Sequence, residues 1–151
     1  MPMDDSSQFN AIERRKYIRL KTRIPVKYII LDQTTRTPLS DNLEGVTENL
    51  SLAGLRLETY STEEQIKLFT SKNIILKIEF ELPGINYKIK SETKINFIET
   101  ETKIIYMHIG PNGKSRRLTY LGLVFIDLSE QNKNIILKYI KDKFINEYKP
   151  Y

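Results

Sequence analysis

The chain contains no cysteine and only one histidine among its 151 residues. The absence of cysteine excludes disulfides, thiolate zinc sites and cysteine nucleophiles. His108 cannot build a metal cluster alone, and no recognisable nucleophile or carboxylate arrangement accompanies it. The sequence therefore predicts a protein that is not an enzyme and that holds neither a metal nor a cofactor.

Long apolar runs are also missing, since none approaches the roughly 18 residues of a membrane-spanning helix. The first ten residues lack the basic and apolar regions of a signal peptide. We therefore expect a cytoplasmic protein without a membrane span. Its length suits one domain, because one hydrophobic core of ordinary size serves about 100 to 200 residues.

The positive charge of the chain is concentrated near its beginning. The net charge of +5 favours anionic partners, although scattered lysines commonly serve only solvation. Arginines, in contrast, cluster between Arg14 and Arg23. The polar residues 1–12 before the cluster predict a flexible N-terminal arm, and residues 13–148 are expected to form the folded domain.

Alternation of apolar and polar residues predicts a mainly β protein. The clearest strand runs from Ile74 to Leu82 and ends at the turn Pro83-Gly84. Another alternation starts at Val46 and changes phase at Gly54, which indicates a bulge or a tight turn there. About seven short strands in all predict an antiparallel barrel or sandwich; the others are expected in segments 26–31, 85–89, 95–98, 104–107 and 121–128.

Two helices are predicted beside the strands. Ser61 to Glu64 has the Ser-x-x-Glu spacing of a capping box, which predicts a short inserted helix within residues 61–70. Ser129 is a good N-cap, and Ile136, Ile140 and Phe144 then recur every four residues. We expect this amphipathic C-terminal helix to close the barrel.

The segment Gly110–Ser115 is superficially similar to a phosphate-binding loop. That motif requires four residues between its glycines and a helix directly after its Lys-Ser pair. Here two residues separate the glycines, and Arg116-Arg117 leads into a predicted strand. We interpret the segment as a hairpin loop.

Arg15 and Arg19 stand four residues apart, with Arg14 beside them. A guanidinium group presents a planar fork of donors that binds phosphate oxygens in pairs and also matches O6 and N7 of guanine. Each charge-assisted hydrogen bond contributes about 1.5 to 3 kcal/mol, so three or four reach the roughly 8 kcal/mol of micromolar affinity only before ordering costs are subtracted. A second set of contacts is therefore needed.

Asn49, Ser51 and Gly54 are candidates for that second set. Asn49 and Ser51 are two apart on a predicted strand, so both are expected to project from its outer face. Asn can pair with a base edge, Ser can bond to base or phosphate, and Gly54 would let a ligand approach the backbone closely. Read alone, the segment is an ordinary strand and turn.

In this order, the two features resemble the PilZ domain family, whose signature is Arg-x-x-x-Arg followed after some tens of residues by Asp/Asn-x-Ser-x-x-Gly. Arg15 and Arg19 match its first part, and Asn49, Ser51 and Gly54 match its second part. The likeness extends over nearly the full chain, from about residue 12 to residue 146. The resemblance implies an antiparallel six- or seven-stranded β-barrel of PilZ type.

The resemblance also implies a ligand, because members of that family bind cyclic di-GMP, often as an intercalated dimer. Arg15 and Arg19 would hold phosphates and guanine edges, Arg14 would join them, and Asn49 and Ser51 would contact a guanine from the barrel face. The expected function is a receptor that orders its N-terminal arm over the barrel and signals to a partner protein. Control of motility or biofilm formation would be the output.

Two other functions stay open at this point. A ligand-independent adaptor of the same fold would bind proteins only, and the intact arginines argue against it. A nucleic-acid-binding barrel is favoured by the isoelectric point near 9.3 and by aromatic residues such as Tyr17 and Tyr28 that could stack on bases. Acidic residues interleaved through most of the predicted strands argue against that function.

Overall fold

The structure is a computed structural model that describes residues 18–107 and 114–147. This part of the chain contains helices α1 (Glu63–Phe69) and α2 (Glu130–Glu147). No helix within it is long and apolar enough to cross a membrane. Its strands are β1 (Leu20–Lys21), β2 (Pro25–Asp32), β3 (Leu43–Leu50), β4 (Gly54–Ser61), β5 (Ile74–Glu81), β6 (Lys88–Met107) and β7 (Lys114–Ile126).

Six of the strands form a closed antiparallel barrel. Their order is β3-β2-β5-β6-β7-β4, and β4 pairs back onto β3. The short β1 is an additional strand that pairs with the end of β3. Closure leaves none of the six barrel strands as an open edge. The predicted six- or seven-stranded antiparallel barrel is confirmed.

The barrel interior is filled by alternate residues of its strands. On β5 and just beyond it, every apolar residue of the predicted alternation is buried, from Ile74 through Leu76, Ile78 and Phe80 to Leu82. Burial of each such side chain contributes about 1.5 to 3 kcal/mol. The turn that follows has a left-handed glycine, with φ of 80° at Gly84.

Helix α2 covers this core as predicted. Its first turn is capped by Ser129, whose Oγ accepts a hydrogen bond of 3.1 Å from the Asn132 amide. Ile136 and Ile140 are buried, and Tyr139 lies with them in the same core cluster. The C-terminal amphipathic helix is therefore confirmed.

Helix α1 is present, but its capping residue differs from the prediction. Thr62, not Ser61, is the N-cap: its side chain accepts from the Gln65 amide at 3.3 Å, and Gln65 Oε1 accepts from the Thr62 amide at 3.0 Å. Ser61 is still the last residue of β4, where it pairs with Arg117 of β7. The helix can begin only after this ladder ends, so the capping box moves by one residue.

Three predicted strands fall on one strand of the structure. The end of segment 85–89 and the whole of segments 95–98 and 104–107 belong to β6. The pairing of β6 with β7 shifts register between Ile95 and Phe97 and between Thr100 and Ile104. These irregularities interrupt the alternation, which is why the sequence alone indicates separate strands. Residues 108–113, which hold His108 and most of the predicted hairpin loop, lie outside the described residues. The strand β7 begins directly at Lys114.

The tight turn predicted at Gly54 lies between β3 and β4, where the Ser51 amide donates to the Gly54 carbonyl at 2.8 Å. Strand β3 also contains an earlier irregularity that was not predicted. Thr47 pairs with Leu57 and Asn49 pairs with Arg56, so Glu48 is the extra residue of a bulge. As a result Thr47 is fully buried, whereas Val46, the predicted core residue, is only partly buried. The Thr47 hydroxyl accepts from the Ile24 amide at 2.8 Å.

Candidate functional site

The sequence-predicted residues that the structure describes line one pocket. It has a volume of about 340 Å³ and lies over adjacent parts of β3, β4, β7 and β6. Volumes of about 300 to 1,000 Å³ are usual for ligand pockets. Its lining includes Arg19, Asn49, Ser51, Gly54, Arg56, Asn96, Phe97 and Gly122.

Arg19 is held at the pocket by the strand that follows it. Leu20 pairs with Leu50 and Lys21 pairs with Asn49, so the chain enters the barrel directly beside the motif of β3. Leu20 is buried, which anchors this point, while Arg19 itself is exposed. Within residues 18–107 and 114–147, its guanidinium has no hydrogen-bond or ion-pair partner. Arg14 and Arg15, together with the predicted arm of residues 1–12, lie outside the described residues.

Asn49 and Ser51 differ in how their polar groups are used. Asn49 lies on β3, is partly buried, and its amide has no hydrogen-bond partner in the described part of the chain. Ser51 follows the end of β3 and is buried. Its Oγ accepts from the amides of Ala53 and Gly54, both at 3.2 Å, so this hydroxyl shapes the turn between β3 and β4. Asn49 thus offers the freer polar group to a ligand.

Gly54 is required by the packing of two strands. A Cβ atom at this position would lie 1.8 Å from the carbonyl oxygen of Leu123 and 2.9 Å from its carbonyl carbon. The missing side chain therefore lets β4 approach the backbone of β7. The sequence reasoning attributed this glycine to the approach of a ligand, and the structure supplies this additional physical reason.

Arg56 is a pocket residue that the sequence reasoning missed. Its guanidinium carbon lies 5.1 Å from the ring centre of Phe97 and 5.1 Å from that of Tyr120. Its Nε is 2.7 Å from Glu48 Oε2, and its terminal nitrogen is 3.2 Å from Glu99 Oε2. The only sequence clue is its position two residues after Gly54, because alternate residues of a strand share a face.

A second ion pair adjoins this cluster. Arg23, which follows β1, pairs with Glu58 of β4 at 2.5 Å. The hydrogen bond and the charge of Glu58 raise the pKa of Arg23 above its ordinary value. The acidic residues Glu58, Glu48 and Glu99 beside the pocket are thus paired with Arg23 and Arg56, whereas Arg19 pairs with none of the acidic residues that the structure describes.

A larger groove, of about 620 Å³, lies at the turn between β5 and β6. It contains none of the sequence-predicted site residues. Two of its charged residues partly neutralise each other, because Glu79 lies 3.4 Å from Lys88. No group of three or more potential metal ligands occurs among the described residues. The smaller pocket therefore remains the candidate site.

Burial of Tyr28 argues against a nucleic-acid-binding barrel. Tyr28 is 2% exposed, and its hydroxyl lies 2.8 Å from Thr59 Oγ1. A ring buried in the barrel cannot stack on a base, so the prediction for Tyr28 is wrong. Tyr17 lies outside the described residues.

Comparison with known proteins gives one family match. Residues 13–142 match the sequence profile described as the PilZ domain. No curated protein matches the chain by sequence.

Three solved structures are similar to the chain at low sequence identity. The Bacillus subtilis inhibitor of motility, MotI/DgrA, has a TM-score of 0.54 and 16% identity over 90% of this chain and 54% of its own. MrkH of K. pneumonia in its apo state has a TM-score of 0.51 and 15% identity over 88% of this chain and 51% of its own. The PilZ domain of Escherichia coli YcgR with c-di-GMP has a TM-score of 0.49 and 13% identity over 91% of this chain and 99% of its own. The chain therefore spans about half the length of the MotI and MrkH chains.

Proposed function

Because the chain belongs to the PilZ domain family, we propose that it is a cytoplasmic, non-enzymatic receptor for cyclic di-GMP. The observation that carries this proposal is the single pocket that gathers Arg19, Asn49, Ser51 and Gly54 from two separate segments. The similar protein MrkH is described as a c-di-GMP-dependent transcription regulatory factor, which supports the same class of ligand.

The chemistry of the pocket suits a guanine nucleotide. Arg19 brings a cation that has no partner among the described residues and that can bind phosphate oxygens or the O6 and N7 edge of guanine. Asn49 brings an amide with one acceptor and two donor hydrogens, and none of them is used in the described part of the chain. Ser51 and Gly54 shape the turn that sets the position of Asn49 beside Arg19.

The anchored start of β1 brings the preceding arginines within reach of this pocket. Four residues of extended chain span at most about 14 Å, which limits the distance between the Cα atoms of Arg15 and Arg19. Arg14 can be only one residue further away. An anion in the pocket would offset the mutual repulsion of these cations and draw the arm across the barrel. The ordered arm, with ligand bound as an intercalated dimer, is the surface that a partner protein would recognise.

Calorimetric titration of the full chain with cyclic di-GMP tests this proposal. Arg19→Ala is expected to weaken binding by about 10- to 150-fold, since it removes charge-assisted hydrogen bonds of about 1.5 to 3 kcal/mol. Arg15→Ala is expected to act in the same direction. Arg117→Ala is the matched control, because Arg117 pairs with Glu63 and does not line the pocket. A parent protein that binds no cyclic di-GMP below about 100 µM would exclude the proposed receptor.

A ligand-independent adaptor is the competing function. It would keep its partner when Arg15 and Arg19 are replaced by alanine, whereas a receptor would lose its response to the ligand. A pull-down with and without cyclic di-GMP, from cells that express the protein, separates the two. Motility and biofilm formation are the outputs to measure, since the similar protein MotI is named as an inhibitor of motility.

A further inference from the structure

A bulge in β6 lies beside the pocket, on the side away from the Asn49 strand. Ile95 pairs with Leu123 and Phe97 pairs with Gly122, so Asn96 is the extra residue. Bulges re-aim side chains and are frequent next to binding sites. A Cβ atom on Gly122 would lie 2.6 Å from Asn96 Oδ1 and 2.9 Å from Phe97 Cβ. The side chains of Asn96 and Phe97 therefore occupy the space that a side chain at position 122 would fill.

The Phe97 side chain combines an aromatic ring with exposure at the pocket. It is 43% exposed and lines the pocket, so part of the ring is open to a ligand. Its position over the Arg56 guanidinium is fixed from behind, since Glu48 and Glu99 hold Arg56 in place. A fixed, exposed aromatic face is the feature on which nucleobases stack.

The side-chain amide of Asn96, like that of Asn49, makes no hydrogen bond to any described residue. The two side chains line the same pocket, Asn96 from β6 and Asn49 from β3. Strands β7 and β4 lie between them and contribute two residues without side chains, Gly122 and Gly54, to the lining. An amide supplies both a donor and an acceptor, which match the O6 and N1–H groups of guanine.

We propose that Asn96 and Phe97 form a second wall of the pocket, where Phe97 stacks on one guanine of the ligand and Asn96 reads the edge of that base. Arg56 acts as a positioning residue that holds the Phe97 ring from behind. This inference rests on the proposed function, because it assigns the contacts of a base within the same site. It extends that function to residues outside both sequence motifs.

A tryptophan reporter tests the stacking contact directly. The chain contains no tryptophan, so Phe97→Trp creates a single indole with a comparable stacking face. Its fluorescence is expected to fall on addition of cyclic di-GMP, with the same midpoint as the calorimetric titration. Tyr60→Trp is the matched control, because Tyr60 is equally exposed at 42% and does not line the pocket. Equal responses from the two variants would overturn the proposal.

Affinities test the two contacts separately. Phe97→Ala is expected to weaken cyclic di-GMP binding by about 5- to 150-fold, the range of one base–aromatic stack. Asn96→Ala is expected to reduce the preference for cyclic di-GMP over cyclic di-AMP by about 2- to 10-fold, as one neutral hydrogen bond does. Ile104→Ala is the control for both, because it is an exposed residue of β6 outside the pocket.

The pattern across variants separates this inference from the receptor proposal. If the parent binds and Arg19→Ala binds more weakly, while Phe97→Ala and Asn96→Ala bind like the parent, the second wall is excluded and the receptor stands. If the parent does not bind cyclic di-GMP, both are overturned. Urea unfolding of each variant shows whether a weaker titration reflects a lost contact or a lost fold.

Discussion

Replacing Gly54 by alanine should destabilise the barrel itself, and the geometry shows why. The added Cβ would lie 1.8 Å from the Leu123 carbonyl oxygen, whereas carbon and oxygen atoms in contact are about 3.3 Å apart. The strands would have to separate by about 1.5 Å, the difference between these distances. The atoms nearest to this Cβ, the carbonyl oxygen and carbon of Leu123 and the Cα of Val124, all belong to the backbone, so no side-chain rotation relieves the contact.

The cost has two parts. Overpacking in a closely packed interior costs about 1 to 3 kcal/mol. Separation of the strands also weakens neighbouring hydrogen bonds, such as the 2.9 Å bond from the Phe125 amide to the Ala53 carbonyl, at about 1 kcal/mol each. We therefore expect Gly54→Ala to lower the free energy of unfolding by about 2 to 4 kcal/mol and the melting temperature by about 4 to 16 °C.

Urea unfolding followed by circular dichroism measures this loss. Gly84→Ala is the matched control, because Gly84 has a positive φ of 80° and open space around its Cα. Its alanine variant should lose only the left-handed preference, about 1 to 2 kcal/mol. If Gly54→Ala lowers the free energy of unfolding by less than about 1 kcal/mol, the packing argument is refuted. The approach of a ligand would then be the only role left for this glycine.

Two further changes probe buried polar groups of the barrel. Thr47→Val leaves the Ile24 amide without its hydrogen-bond acceptor, so it should cost about 1 to 3 kcal/mol in urea unfolding, and a neutral result would contradict the assigned bond. Tyr28→Phe tests how the stability of the barrel depends on pH in alkaline solution. Burial raises the pKa of Tyr28 to about 12, whereas the side chain in the unfolded protein titrates near 10. The contribution of neutral Tyr28 to the free energy of unfolding is therefore complete below pH 10 and is lost as the pH rises toward and through 12, by up to about 2.7 kcal/mol. The phenylalanine variant should lack this part of the decline, and identical pH profiles for variant and parent would exclude the shift.

The features that the sequence predicted correctly are those with an unbroken period. The alternation along β5 and the four-residue spacing on α2 each place several apolar residues on one side, so a single exception cannot change the result. The β3 strand shows the opposite case. One extra residue at Glu48 reverses the faces on either side of it, which exchanges Val46 for Thr47 in the core.

The candidate site was predictable only in part, for a related reason. Arg19 and Asn49 could be predicted from the sequence because each belongs to a short motif within one segment of the chain. Arg56 and the second wall were not, since their positions depend on which distant strands become neighbours. Phe97 faces Arg56 only because β6 and β4 both pair with β7, and because a bulge in β6 that no local pattern specifies sets Phe97 opposite Gly122.

Closure of the barrel and assembly of the pocket are consequently one structural event. The contact that completes the barrel on this side is the pairing of β4 with β7, where Gly54 lies opposite Val124. The same pairing places Gly122 between Arg56 and Phe97, and it thereby sets the separation of the two pocket walls. A ligand that bridges those walls binds only the closed barrel, so its binding free energy adds to the stability of the fold, by about 2.7 kcal/mol at a hundredfold excess over Kd. In the proposed receptor, the glycine of the motif would therefore contribute to recognition through the strand contact that it permits, without touching the ligand itself.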